Sequence, residues 1–304
     1  MKNNITIALE NLTIGLLLLT APMLQAQDLY QWEDTIRYTS EQIMMSEEWT
    51  ARAASLDRMP TLLSQALDAE GSFDITFDSS RIAITYAPDS SFRLLTGQAV
   101  LDGEAIKYYG VLQQKADERN PIILHDQSYA PSEITGEVLT PENWNGALYY
   151  NVIKTRVDGN DFYIAFGFAA KTFFENSKVA EIIYFEDGKV KFGAPIFTTD
   201  DGKAMHRLSL IYAADVGARL NYDSTLAMIV FDNLIPMKSP YKERKVMMVP
   251  DGSYSGYAWE ENKGWVFVDK IFHQTLDEAP REVPVLDMQK GKDINGRAIK
   301  EKKQ

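Results

Sequence analysis

Apolar positions along this chain change period once. Before Phe73 they recur at helical spacing: Trp32, Ile36, Ile43, Met44 and Trp49 fall near one stripe among polar and acidic neighbours, so Leu29 to Leu56 reads as an amphipathic helix. A second helix is signalled by Asp57, with Pro60 in its first turn, Leu62, Leu63, Ala66 and Leu67 as its apolar side and Gly71 as its stop. Both are expected to lie against a β core, the alternative being a helical arm that binds a partner.

After Phe73 the period is two. Ile82 to Tyr86, Phe92 to Gln98 and Ile106 to Leu112 are separated by Pro88-Asp89-Ser90-Ser91 and by Asp102-Gly103, the turn chemistry of a meander. Lys115 to Pro121 and Ala130 to Trp144 are polar, proline-bearing and read as loops. A hairpin follows: Leu148, Tyr150 and Val152 lead through Val157-Asp158-Gly159-Asn160 to Phe162, Ile164, Phe166 and Phe168. Val179 to Phe185 and Val190 to Phe192 repeat the device around Asp187-Gly188, and Ile196 and Phe197 precede Asp200-Asp201-Gly202. Leu208, Leu210 and Tyr212 alternate with Arg207 and Ser209, Leu220 and Tyr222 follow, and Leu226 to Phe231 reads as a central strand ended by Pro236 and Pro240. Val246 to Val249 begins another strand, with Pro250-Asp251-Gly252-Ser253 as the turn after it. The Asp-Gly pairs begin at Asp102, Asp158, Asp187, Asp201 and Asp251, too unevenly spaced for propeller blades.

The stretch Tyr254 to Phe272 organises this picture. It predicts two strands closed by Asn262-Lys263-Gly264, with Trp259 facing Phe267 and Glu261 facing Trp265. Tyr257, Trp259, Trp265 and Phe267 share one face, while Ala258, Val266 and Val268 make the other apolar too, so the pair is expected to be covered on both sides.

Composition narrows the function. The 304 residues are 45% hydrophobic, enough for one large core, and 43 acidic against 31 basic residues give a formal charge of -12, which argues against nucleic acid and against an anionic membrane surface. Residues 1–26 read as a secretory signal: Lys2, the apolar run Leu12 to Leu19, Pro22, and Ala26 suited to cleavage before Gln27. That run is too short for a stable membrane anchor, and no transmembrane segment is expected in the mature chain. With no cysteine there are no disulfides, thiolate metal sites, cysteine nucleophiles or lipid-attachment cysteine. From Gln274 the chain turns to charge and proline and reads as a flexible tail. The expected organisation is therefore a signal at 1–26, a helical segment at 27–71, an antiparallel β domain at 72–273 and a charged tail at 274–304.

Several motifs, HRLSLIYAADVGARLNYD (His206 to Asp223), IVFDNLIP (Ile229 to Pro236), VPDGSYSGYAW (Val249 to Trp259), APDSSFRLLTG (Ala87 to Gly97) and YYGVLQ (Tyr108 to Gln113), resemble those of a group of exported bacterial proteins of unknown function. The resemblance implies export and a β-rich body, and it carries over no catalytic residue.

Candidate chemistry is sparse. His125, His206 and His273 show no metal-ligand spacing, and Gly252-Ser253-Tyr254-Ser255-Gly256 puts tyrosine where a hydrolase elbow needs serine. Asp158, Asn160 and Asp161, or Asp200 and Asp201, lack the spaced glutamate of a calcium hand and suit hairpin turns. Glu260 and Glu261 are strand neighbours on opposite faces, so they cannot act as an acid–base pair. No metal or cofactor is expected. The aromatic ladder reads as core, with a sugar-stacking platform as the alternative; the loop aromatics Trp144, Tyr241 and Tyr254 are the expected ligand contacts. The fold expected is mainly β, an antiparallel sandwich or open barrel with a short helical N-terminal segment. The function expected is a non-enzymatic binding or structural protein, periplasmic or extracellular, whose envelope or extracellular partner includes glycans among the candidates; the alternative is a carbohydrate-active hydrolase using Asp and Glu residues that the sequence does not identify.

Export makes a direct prediction: intact mass and N-terminal analysis of the protein recovered from the periplasm or medium gives a chain starting at Gln27, and Met1 retained on a cytosolic product overturns it.

Overall fold

The computed structural model describes residues 32–102, 105–127, 134–170, 172–239 and 246–271, together with 286–287 and 292–293. Residues 1–26, where a signal is expected, Gly103, Tyr241, His273 and most of the charged tail lie outside the described residues. Within the tail, Leu286–Asp287 and Lys292–Asp293 pair antiparallel.

Two helices open the described chain, α1 at residues 32–45 and α2 at Trp49–Ala66. The boundary is not at Asp57, as the proline suggested, but at residues 46–48, where Arg52 donates to the carbonyls of Ser46 and Val100 at 2.5 and 2.6 Å. Pro60 lies inside α2. Its cost of about 3 kcal/mol is outweighed by burial of Leu56, Met59, Leu62, Leu63 and Ala66, a stripe that crosses it at helical spacing and contributes about 1.5–3 kcal/mol per large side chain.

Sheet A is the expected meander with one strand more: β1 (Ala83–Tyr86), β2 (Phe92–Val100), β3 (Ile106–Gln114) and β4 (Ile122–His125), side by side in chain order. Sheet B contains β5 (Leu148–Val157), β6 (Asn160–Ala170), β7 (Glu175–Glu186), β8 (Lys189–Phe192) and β11 (Arg207–Ala213), in the order β11-β7-β6-β5 with β8 also on β7. Its two tight hairpins turn at Asp158-Gly159 and Asp187-Gly188, where both central residues have positive φ, the backbone of a type I′ turn. Sheet C orders β10 (Ala204–Met205), β9 (Phe197–Thr198), β15 (Gly264–Val268), β14 (Val246–Glu260), β13 (Met228–Lys238) and β12 (Leu220–Asp223). All pairs are antiparallel except β9 with β15.

Alternation along the strands stacks these pieces into layers. Leu95, Ala99, Tyr109 and Val111 of sheet A pack with α1 and α2, while Phe92, Leu94, Tyr108 and Leu112 face sheet B. On β6, Tyr163 and Ala165 join that second core, and Ile164 and Phe166 point the other way, onto Phe197, Leu220, Ile229, Tyr257 and Trp265 of sheet C. The mainly β, antiparallel, sandwiched architecture holds, with three sheets stacked and no barrel closed among the described residues.

Three local expectations are corrected. The hairpin register is two residues off: Tyr257 pairs with Phe267 and Trp259 with Trp265, because the loop closes between Glu260 and Gly264. Sheet C is an outer layer, so Ala258, Val266 and Val268 are only half-buried, and the sheet shielded on both faces is B. Pro250 to Ser253 is not a turn; β14 runs through it as one strand, with a register shift against Asp232 and Leu234 absorbing the irregularity, and β13 likewise continues past Pro236.

Between sheet A and the helices, the Tyr109 ring lies flat across Gly97 of β2, its register partner. A Cβ on Gly97 would meet that ring at 2.2 Å. Gly97→Ala is therefore expected to cost about 2 kcal/mol in urea unfolding, and to cost far less in a Tyr109→Ala background, where the collision is gone; equal costs in both backgrounds would contradict this packing.

Candidate functional site

A cavity opens where the outermost strand of sheet B, β11, meets sheet C. It has a volume of about 350 Å³ and follows Arg207 to Ile211, with Met205, Leu220, Phe231 and Tyr257 supplying its apolar wall and Thr135 one end. No carboxylate lines it, and Arg207 is its one charged residue. Such a site suits an apolar guest held by shape and a few polar groups.

Arg207 is already engaged. It sits opposite Glu181 of β7 in register, both side chains are buried, and its Nε lies 3.1 and 3.2 Å from the two carboxylate oxygens. Its Nη2 donates to the Phe192 carbonyl at 3.1 Å, while Nη1 is buried with no hydrogen-bond partner among the described residues. Burial pushes the Glu181 carboxyl above its usual range, with the guanidinium opposing that shift. The guanidinium fits because Gly193 has φ +96° and no side chain; a Cβ there would lie 2.5 Å from Nη2 and 2.6 Å from the Glu137 carbonyl. In the sequence Arg207 is a polar position alternating with Leu208 and Leu210, and that alternation does not name its partner. A lone glutamate in the apolar run Ala180 to Phe185 is the signal in the sequence that a buried cation would answer it.

The expected ligand contacts do not converge. Trp144 is 0% exposed, packed between sheets A and B, and its indole N–H donates to the Tyr149 hydroxyl at 2.9 Å. That corrects the expectation of a loop aromatic less needed for packing: a turn capped by Thr140 and Asn143 leads into it, and Leu139, Trp144 and Ala147 are all buried. Tyr254 is on β14 rather than in a loop; it pairs with Asp232 on the outer face of sheet C and is half-buried. Tyr241 lies outside the described residues. In the aromatic ladder Tyr257 and Trp265 are each 4% exposed, Phe267 is half-buried against them, and Trp259, at 39%, is exposed.

Further cavities do contain carboxylates. One of about 470 Å³ between α2 and sheet A is lined by Asp57, Lys107, His125 and Asp126 among others; Asp126 accepts from the backbone N–H groups of Tyr108 and Gly146, both at 3.0 Å. Another, of about 580 Å³, includes Arg156, Asp161, Tyr163 and Glu186. Asp161 there is ion-paired with Lys154 at 2.7 Å and Arg156 at 3.1 Å, and its hydrogen bond to Lys154 holds its carboxyl below the usual range. Asp89, across the sheet interface, resists ionisation through burial, yet hydrogen bonds from Ser91, Lys154 and Tyr163 outweigh that and hold it well below the ordinary carboxylate range. Asp126, Asp161 and Asp89 are thus tied to backbone, hydroxyl or cation partners, in the manner of structural latches.

His125 is exposed on β4, whereas His206, half-buried, has a buried Nδ1 without a partner and a pKa lowered by desolvation and by neighbouring Arg207. Among the described residues there is no group of three or more His, Asp or Glu side chains placed to hold a metal ion, and no helix long and apolar enough to cross a membrane. Comparison with protein-family models, with curated proteins and with solved structures finds no match to this chain.

The buried pair yields a stability test. Glu181→Gln leaves Arg207 without its counter-charge and is expected to cost about 3 kcal/mol in denaturant unfolding. Replacing both, Glu181→Leu with Arg207→Met, is expected to recover most of that loss; a single variant as stable as the parent would remove the pair from the structural account.

Proposed function

We propose that the mature chain is an exported, non-catalytic binding or structural protein of the cell envelope or exterior. The observation that supports this best is how its charged groups are engaged. Asp126, Asp161, Asp89 and Glu181 each hold backbone, tyrosine or cation partners, and the cavity beside β11 has a mainly apolar lining and no carboxylate. General acid–base work on a glycosidic bond needs two carboxyl groups facing one substrate, one of them with a raised pKa. The shifted aspartates beside the cavities run the other way. Export rests on the leading 26 residues and on the resemblance to exported bacterial proteins.

Incubation of the mature protein with a panel of bacterial and plant glycans, with reducing ends followed over hours, is expected to give no release above buffer. Release that disappears in Asp57→Asn or Asp126→Asn would replace this reading with the hydrolase.

A further inference from the structure

The cavity beside β11 runs along a sheet edge that is open. Ala214 N–H donates to the Phe174 carbonyl at 2.9 Å, and antiparallel alternation then directs the backbone groups of Leu208, Leu210 and Tyr212 to β7. The N–H and C=O of Arg207, Ser209 and Ile211 point away from β7, and none of the three takes part in a further backbone hydrogen bond among the described residues. These same residues line the cavity, beside the apolar wall of Met205, Leu220, Phe231 and Tyr257.

Sheets discourage pairing at their edges with charge or proline. The opposite edge of sheet B, β5, carries Lys154 and Arg156, and β13, beyond its ladder with β12, carries Pro236. The open stretch of β11 has neither safeguard: its exposed residues are Ser209 and Ile211, the latter 36% exposed, and the charge of Arg207 is buried against Glu181.

We propose that the β11 edge binds an extended segment of another polypeptide, which adds a strand to sheet B and places alternate apolar side chains in the cavity. Only an extended backbone offers N–H and C=O groups at the strand repeat of about 3.4 Å, and the stretch from Arg207 to Ile211 accommodates a guest of about five residues. A second folded copy fits less well, because Leu220, Phe231 and Tyr257 of sheet C border the edge and the copy would bring its own sheet C into the same space. The inference rests on the reading of this chain as a binding protein and names its partner class.

The test uses the full mature chain and fluorescent, end-blocked heptapeptides with valine, leucine or phenylalanine at the second, fourth and sixth positions and serine or lysine between. Saturable binding is expected, with slowed amide exchange at Ser209 and Ile211 and loss of binding when the peptide is N-methylated at alternate positions. Ser209→Pro removes one outward N–H without removing a bond to β7, and is expected to weaken binding about ten-fold. Ile211→Lys, which places a charge on the open edge and leaves the backbone intact, is expected to weaken it as well; circular dichroism establishes that each variant is folded. Absence of binding by every peptide at millimolar concentration, or binding indifferent to N-methylation and to both variants, overturns the proposal. So does a concentration-dependent dimer of the chain that Ile211→Lys abolishes and that no peptide displaces. Glycan release measured on the same preparation reports separately on the non-catalytic reading, since turnover alongside intact peptide binding would overturn that reading alone.

Discussion

Sheet B is covered on both faces, and most of the described architecture follows from that constraint. A strand in a doubly covered sheet offers no side to water, so its polar positions must be small, paired or absent. β6 meets the condition with the run Tyr163-Ile164-Ala165-Phe166-Gly167-Phe168-Ala169, large side chains toward sheet C and smaller ones, apart from Tyr163, toward sheet A. The neighbouring layers then need one apolar face each. Sheet A presents Phe92, Leu94 and Leu112 to it, and sheet C presents Ile229, Tyr257 and Trp265. The helices complete the stack by covering the other side of sheet A.

The same layering explains the buried cations. Arg93 is fully buried between sheet A and the segment before it, where its guanidinium donates to Gln113, to the carbonyls of Ser72 and Ile75 and to the Tyr86 hydroxyl, and lies over the rings of Phe73 and Tyr86. No carboxylate touches it in these bonds; carbonyl dipoles and ring faces offset the desolvation, which still lowers its pKa. Arg207 meets the same problem with a carboxylate, Glu181. At the rim between sheets A and B, where water is near, Asp89, Lys154, Asp161 and Tyr163 tie the β1–β2 turn to β5 and β6 by polar contacts instead. Depth within the stack thus sets which kind of polar contact each interface uses.

The cavities at the two ends of the stack differ in their lining. Beside α2, the second cavity is walled by groups already bonded to backbone, such as Asp126. Beside sheet C, the β11 edge leaves a mainly apolar space with no carboxylate in its lining. An edge strand that ends a buried sheet has nothing further to pair with, so its exposed ladder is a consequence of where the sheet stops.

Much of this was legible in the chain. The change from helical to two-residue period at Phe73, the Asp-Gly turns of sheet B and the shared face of Tyr257, Trp259, Trp265 and Phe267 follow from side-chain periodicity and from backbone conformations that few residue types adopt. Local chemistry misled where burial outweighed it: Pro60 does not start α2, Pro250 to Ser253 does not turn, and Trp144 is core. Period two says that a strand has two faces but not which neighbour covers each, so the sequence by itself determined most of the strands and the absence of cysteine chemistry. Only the tertiary structure decided that sheet B lies in the middle, that Arg207 answers Glu181, and that the outer edge of β11 has no paired strand among the described residues, because all three depend on which distant strands come together.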